Sequence, residues 1–289
     1  MNTMDTTMNE ARSGQGCGMN RFVEAKQEEL ARLRTAEGAP RPAMMQRPSF
    51  FAALKSASAK GPLPVIAEYK RASPSRGRIC DAVSVQDAVS AYAGHGASAL
   101  SILTEERYFD GSLAFIDLAR KTLDEQGFGN VPLLRKDFLF DPLQIEATAA
   151  TRASAFLLIV RMLPDAAALR DLRILGEKYG LDAVVEVFDG EDLELARLAG
   201  ARIVQVNARD LVTFRVERKL CLDLLHTAGK RAGEAWIAAS GMEEHGHLLE
   251  AAAAGFDAAL VGTALMRNGT PGRDLDKLLA GNDGAGHVL

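Results

Sequence analysis

Two carboxylates and two lysines stand where their types and spacing suit proton transfer. Glu68 and Lys70 lie two apart in the stretch Val-Ile-Ala-Glu-Tyr-Lys-Arg-Ala-Ser-Pro-Ser-Arg-Gly, residues 65–77. Side chains two apart in an extended chain share a face, so an acid and a base are aimed together where the apolar run ends. Ser73, Ser75 and Gly77 follow around Pro74, which fixes a turn and brings no backbone donor. A surface ion pair capping a strand is the commoner meaning of a lone Glu-x-Lys, but here the layout recurs. Lys136 sits between Arg135 and Asp137 at the close of Pro-Leu-Leu-Arg-Lys-Asp-Phe. Glu186 is embedded in Ala-Val-Val-Glu-Val-Phe, where a carboxylate is costly unless it is paired or hydrogen-bonded. Asn207 and Arg209 stand two apart after another apolar run. Ser240-Gly241 and Gly262-Thr263 each precede a helical segment, and small residues with backbone N–H groups there suit a phosphate.

The elements that must position these groups alternate. Strand-like runs fall at 64–70, 99–103, 132–137, 155–160, 183–188, 203–207, 236–239 and 258–262, with helix-like segments between them. The helical segments read 85–94, 112–125, 142–151, 165–179, 191–199, 217–228 and 243–254. Several end in glycine just before the next strand, at Gly96, Gly200 and Gly255, where the left-handed turn past a helix end favours it. Eight such units, with runs as continuously apolar as Phe156–Val160, predict a parallel sheet closed into an α/β, (β/α)8 TIM barrel. A doubly wound open sheet is the alternative, weakened because no G-x-G-x-x-G follows any strand. Barrel enzymes carry their chemistry at the C-terminal ends of the strands, where the polar groups above fall.

Before the barrel, Phe22–Arg34 reads as a helix with Phe22, Leu30 and Leu33 as its apolar contacts, 37–48 as a proline-bearing linker, and Ser49–Ser58 as a short helix. The expected organisation is a disordered tail over 1–19, an N-terminal helical extension over 20–60, the barrel over 61–282, and a short tail over 283–289. Met19 is a second candidate translation start.

The chain has 289 residues, 47% hydrophobic and 25% charged, with a net charge of -4, which argues against nucleic acid as a partner. Cys17, Cys80 and Cys221 are odd in number and far apart, neither a disulfide framework nor a zinc pattern, and point to a reducing cytoplasm. No apolar run approaches the ~20 residues of a membrane span, and the first twenty residues lack a signal peptide's apolar region. His245 and His247 lie two apart at a helix start, facing different directions, which does not make a metal site.

The chain resembles the indole-3-glycerol-phosphate synthase family. The blocks that carry the resemblance are 66–75, 103–112, Leu-Arg-Lys-Asp-Phe-Leu-Phe-Asp-Pro-Leu-Gln-Ile at 134–145, Val-Glu-Val-Phe at 185–188, Val-Asn-Ala-Arg-Asp-Leu at 206–211, Ala-Ser-Gly-Met at 239–242 and Val-Gly-Thr-Ala-Leu-Met at 261–266. They run in order over about 20–280, and the first and third blocks are specific to this family. The resemblance implies a carboxy-lyase of tryptophan biosynthesis that closes the indole ring of a phosphorylated small-molecule substrate, needing no metal or organic cofactor. It implies Lys136 as general acid with Glu68 beside it, and Glu186 as base. Lys70 is implied as second acid or anion contact, and Asn207 and Ser240 belong to the same catalytic set. It places Ser73 and Arg209 around the substrate, Phe109 and Phe138 as apolar walls, and Gly241, Gly262 and Thr263 with Ser240 at the phosphate. As isolated aromatics the two phenylalanines would more often be plain core.

Two departures accompany the resemblance: Ala239 stands where many members carry Glu, and Gln205 where Gly is usual. Two other readings stay open at the level of sequence. One is a barrel enzyme using Lys70 or Lys136 in a Schiff base, which borohydride trapping would reveal. The other is a non-catalytic phosphosugar-binding barrel, which a turnover assay would expose. A monomer is the simplest assembly, but oligomeric state is not legible in the sequence.

Overall fold

The structure is a computed structural model that describes residues 19–35, 37–56, 60–210 and 213–281. Eight parallel strands close into one barrel: β1 Val65–Tyr69, β2 Ala99–Leu103, β3 Leu133–Lys136, β4 Ala155–Ile159, β5 Asp182–Val187, β6 Ile203–Asn207, β7 Ala235–Ala239 and β8 Ala258–Val261. Sequence neighbours pair throughout, and β1 pairs with β8 to complete the ring, Ile66 opposite Leu260. The closed ring excludes the open doubly wound sheet.

Around it lie α1 Gln27–Leu33, α2 Phe50–Lys55, α3 Val85–Gly94, α4 Ala114–Glu125, α5 Pro142–Ala150, α6 Ala166–Lys178, α7 Gly190–Leu198, α8 Arg218–Ala228, α9 His245–Ala254 and α10 Pro271–Ala280. Local sequence starts and stops them. Ser84, Asp165 and Asp189 cap α3, α6 and α7 with side-chain oxygens, and Asp141 with Gln144 forms a capping box ahead of Pro142. Gly96, Gly200 and Gly255 all take positive φ, as their positions past helix ends require. The sequence reading missed α10, although Pro271 at its first turn is a start signal. It also missed the one-turn helix Glu106–Phe109, whereas the helical segment expected at Gly262-Thr263 is the one-turn helix Thr263–Met266.

The strand period separates two cores. Ile66, Leu134, Leu157, Ile159, Val184, Ile203, Ile237 and Leu260 pack inside the barrel. Val65, Ala67, Leu133, Phe156, Leu158, Val185 and Val204, displaced by one residue, face the helices. The inward phase continues to the C-terminal strand ends as Glu68, Lys136, Glu186, Gln205, Asn207 and Ala239, so the polar groups emerge above the barrel core.

The N-terminal extension belongs to this body. α2 inserts Phe50 and Leu54, both buried, among Ala99, Ala155, Ile203, Ala235 and Ala258 at the opposite, N-terminal end of the strands. Asp182 of β5 accepts hydrogen bonds from the Phe50 and Phe51 N–H groups, at 2.8 and 3.0 Å, and fixes the start of α2. The helix expected over 22–34 is interrupted: residues 19–25 and α1 are helical, with a turn at Lys26 between them. Lys26 is 2% exposed, and its ammonium is paired with Asp137 at 2.8 Å, a tertiary contact that overrides the local helical pattern. The tail expected over 1–19 lies outside the described residues apart from Met19, which is buried; so does the expected tail at 283–289, and so do 57 and 58 of the second expected helix.

Candidate active site

Glu68, 3% exposed at the end of β1, is paired with Lys70 Nζ through Oε1 at 2.8 Å and accepts from Ser101 Oγ of β2 through Oε2 at 3.3 Å. The pair follows from the two-residue spacing, and a neighbouring element makes room for it. A Cβ at Gly262, just past β8, would stand 2.3 Å from Glu68 Oε1 and 3.0 Å from Lys70 Nζ. Only a residue without a side chain lets that loop pass so close.

On the far side of the cavity Lys136 Nζ of β3 donates to Glu186 Oε2 of β5 at 3.4 Å. Glu186 is 1% exposed and takes two further donors from β6: Asn207 Nδ2 to Oε1 at 3.0 Å, and Gln205 Nε2 to Oε2. Asn207 is itself oriented, its Oδ1 accepting from Ser240 Oγ at 2.7 Å and from the Arg209 N–H at 3.0 Å. The resemblance set Glu68 beside Lys136; the ion pairs instead join Glu68 to Lys70 and Lys136 to Glu186. The reason lies in the strand geometry. Lys70 shares a face with Glu68 on one strand, whereas Lys136 reaches past the apolar Leu157 and Ile159 of β4 to the carboxylate on β5.

The neighbours of Lys136 on β3 point the other way and anchor it. Arg135 binds Glu29 of α1 at 2.8 Å and Asp137 at 3.0 Å, and also Thr104, Thr148 and the Gln144 carbonyl. Burial alone would raise the Asp137 carboxyl, but Lys26 and Arg135 bring it down to about 2. The Arg135 guanidinium is opposed by burial and held charged by Asp137 and Glu29, above the ordinary arginine value. Burial pushes Glu105 up even though it accepts backbone N–H bonds from Arg107, Tyr108 and Phe109, which hold the one-turn helix carrying Phe109.

Every site residue named from the sequence lines a single open cavity at the C-terminal rim: Glu68, Lys70, Ser73, Phe109, Lys136, Phe138, Glu186, Asn207, Arg209, Ser240, Gly241, Gly262 and Thr263. Ser240 and Gly241 both take left-handed φ, 68° and 75°, a backbone that Ser seldom adopts and that functional sites often hold. Arg209 is lowered by burial and by Arg76, and its Nη1 donates to the Phe214 carbonyl. His245 and His247 engage separate partners, the Leu278 carbonyl and the Glu243 N–H.

The sequence reading missed Phe22, which lines the cavity and stacks on Phe138 with ring centroids 4.1 Å apart. No local signal marks it, since its role depends on where the extension folds back. It noted Gln205 only as a departure from the family pattern, although a lone polar residue in Ile-Val-Gln-Val, in phase with Asn207, carries the same signal as Glu186 in Val-Val-Glu-Val.

Fold and site define a (β/α)8 barrel whose C-terminal rim gathers two lysine–carboxylate pairs beside two small-residue loops suited to an anion. The sequence profile described as indole-3-glycerol phosphate synthase matches residues 19–278. Among similar proteins, that of Arthrobacter sp. (strain FB24), an indole-3-glycerol phosphate synthase, is 39% identical over 256 residues, covering 88% of this chain and 90% of that protein. That of Desulfotalea psychrophila, of the same description, is 34% identical over 277 residues, covering 90% and 97%. A 3-hexulose-6-phosphate synthase shares the fold with a TM-score of 0.60 at 14% identity over 75% of this chain and 99% of that one. So does a mutant tryptophan synthase alpha-subunit from Pyrococcus furiosus, with a TM-score of 0.56, 14% identity and coverage of 76% and 99%. The chain belongs to the indole-3-glycerol phosphate synthase family.

Proposed function

We propose that this chain converts 1-(2-carboxyphenylamino)-1-deoxyribulose 5-phosphate to indole-3-glycerol phosphate, CO2 and water, the carboxy-lyase step of tryptophan biosynthesis. The observation that carries the reading is the pair of lysine–carboxylate couples facing one cavity beside Ser240-Gly241 and Gly262-Thr263. Family membership supports it independently.

The chemistry fits the groups. The aromatic carbon bearing the carboxylate attacks the sugar ketone, a C–C bond forms, and the carbonyl oxygen gains charge. Lys136 supplies a proton there, turning the oxygen into a hydroxyl. Loss of CO2 returns its electron pair to the ring and restores aromaticity. The hydroxyl then departs as water while a proton leaves the adjacent ring carbon. Lys70 is the acid for the departing hydroxyl, with Glu68 holding its ammonium, and Glu186 is the base. Each positioned proton transfer contributes typically ~10²–10⁴-fold, and the cavity walls Phe109 and Phe138 fold the substrate so that the two carbons meet. Phosphate is held by Ser240, Gly241, Gly262 and Thr263, with Ser73 and Arg209 toward the polar groups of the substrate. Cys80 and Cys221, both free, favour a reducing cytoplasm as the site of action.

The test is growth of indole fluorescence from the carboxyphenylamino substrate. Wild-type protein gives steady turnover, and Lys136→Ala lowers kcat at least a hundredfold. A Lys136→Ala protein that keeps the wild-type rate refutes the assignment of the acid. A covalent adduct trapped by borohydride would move the protein to Schiff-base chemistry.

A further inference from the structure

Gln205 is a buried polar side chain of the cavity that the reaction above leaves without a task. It lies on β6 in register with Glu186 of β5 and Ile237 of β7, is completely buried, and lines the cavity. Its Nε2 donates to Glu186 Oε2, while its Oε1 has no hydrogen-bond partner. The orientation of the amide follows from chemistry: an ionised carboxylate only accepts, so the NH2 end must face Glu186 and the oxygen must face away. A buried amide oxygen left unpaired is costly, and such a group beside a reacting carboxylate calls for a functional explanation.

The carboxylate it holds has three donors of two kinds, one ammonium and two amides. Lys136, at 3.4 Å, is the longer contact and is free to give its proton elsewhere; Asn207 and Gln205 are amides that hold without titrating. The two amides together fix the carboxylate plane while Lys136 engages the substrate. The donors that the substrate in the proposed reaction carries near its reacting carbons are one secondary-amine N–H and sugar hydroxyls.

We propose that Gln205 is a positioning residue that clamps Glu186 through Nε2 and receives an N–H or O–H of the bound phosphorylated aminoketose on Oε1. The inference rests on the proposed function and names the group that links its base to its substrate. The charged groups that line the same cavity are Glu186, Lys136, Glu68, Lys70, Glu105, Asp137, Arg209 and Glu243, and of these Glu186 is hydrogen-bonded to the amide; β7 places Ile237 opposite Gln205.

Two variants test it, with kcat, KM and thermal midpoint measured across pH 5.5–8.5. Gln205→Met keeps the length but neither hydrogen bond; kcat falls about 10- to 100-fold and KM rises severalfold, with the thermal midpoint close to wild type. Gln205→Glu can donate to Glu186 only when its new carboxyl is protonated, and two adjacent carboxylates share one proton readily. Its activity relative to wild type at the same pH is therefore lowest near pH 8 and recovers at least fivefold toward pH 5.5. A Gln205→Met protein with kcat and KM within twofold of wild type overturns the proposal. So does a Gln205→Glu protein whose pH profile tracks wild type, and this second variant decides the matter if the first does not fold. Absence of turnover in the wild-type protein instead overturns the proposed function, and this inference with it.

Discussion

Gly262 shows how a residue without a side chain takes part in a site. Its φ of -120° is open to any residue, so the requirement for glycine is spatial and comes from the Glu68–Lys70 pair that fills the space a Cβ would take. Gly262→Ala pushes a mobile carboxylate end rather than backbone, so the fold tolerates it while the pair does not. Turnover is expected to fall at least tenfold with a thermal midpoint within about 3 °C of wild type, read by the fluorescence assay and by circular dichroism. Unchanged kcat would show that the ion pair can shift without consequence. The sequence flagged Gly262 as part of an anion-binding loop, and that assignment needs only the local Val-Gly-Thr pattern. Its second duty needs the register of β8 against β1, which no local pattern contains.

Among the elements, β3 carries the most consequential arrangement. Lys136 faces the cavity while Arg135 and Asp137 face outward into a buried network with Lys26 and with Glu29 of α1. The strand end is thereby tied to the N-terminal extension, and Phe22 of that extension is tied to Phe138. Removing one member strands the others: Asp137→Asn leaves Lys26 and Arg135 short of their shared anion. It is expected to cost about 3–5 kcal/mol, measured by urea unfolding at pH 7. The pH dependence has a definite sign. A carboxyl at about 2 in the folded chain, against an ordinary 3.8, binds its proton more readily when unfolded, so its contribution is complete above pH 4 and is lost as pH falls toward 2. In Asp137→Asn that part of the acid slope disappears; an identical slope in both proteins would mean that Asp137 contributes nothing to acid stability.

At the scale of the molecule, the barrel wall separates stability from chemistry. Phe156 of β4 points outward, and a Cβ on Gly176 of α6 would meet its ring at 2.2 Å. Gly176→Ala overpacks that layer and is expected to cost about 1–3 kcal/mol, lowering the thermal midpoint. The inward residues of the same strand, Leu157 and Ile159, line the cavity and are not touched. Wild-type kcat is therefore expected below the new midpoint, and a loss of turnover that exceeds the unfolded fraction would show that strain crosses the wall.

The amino-acid sequence by itself determined the alternation of strands and helices, the glycines past helix ends and the inward phase of Glu68, Lys136, Glu186 and Asn207. Each of these is a local property, set by a two-residue or 3.6-residue period or by one backbone angle. Tertiary structure alone decided that Lys136 meets Glu186, why the extension breaks at Lys26, that Phe22 reaches the cavity and that Gln205 holds Glu186. Those facts depend on distances between segments far apart in the chain, set by how the strands are spaced around the closed ring and by where the extension folds against it.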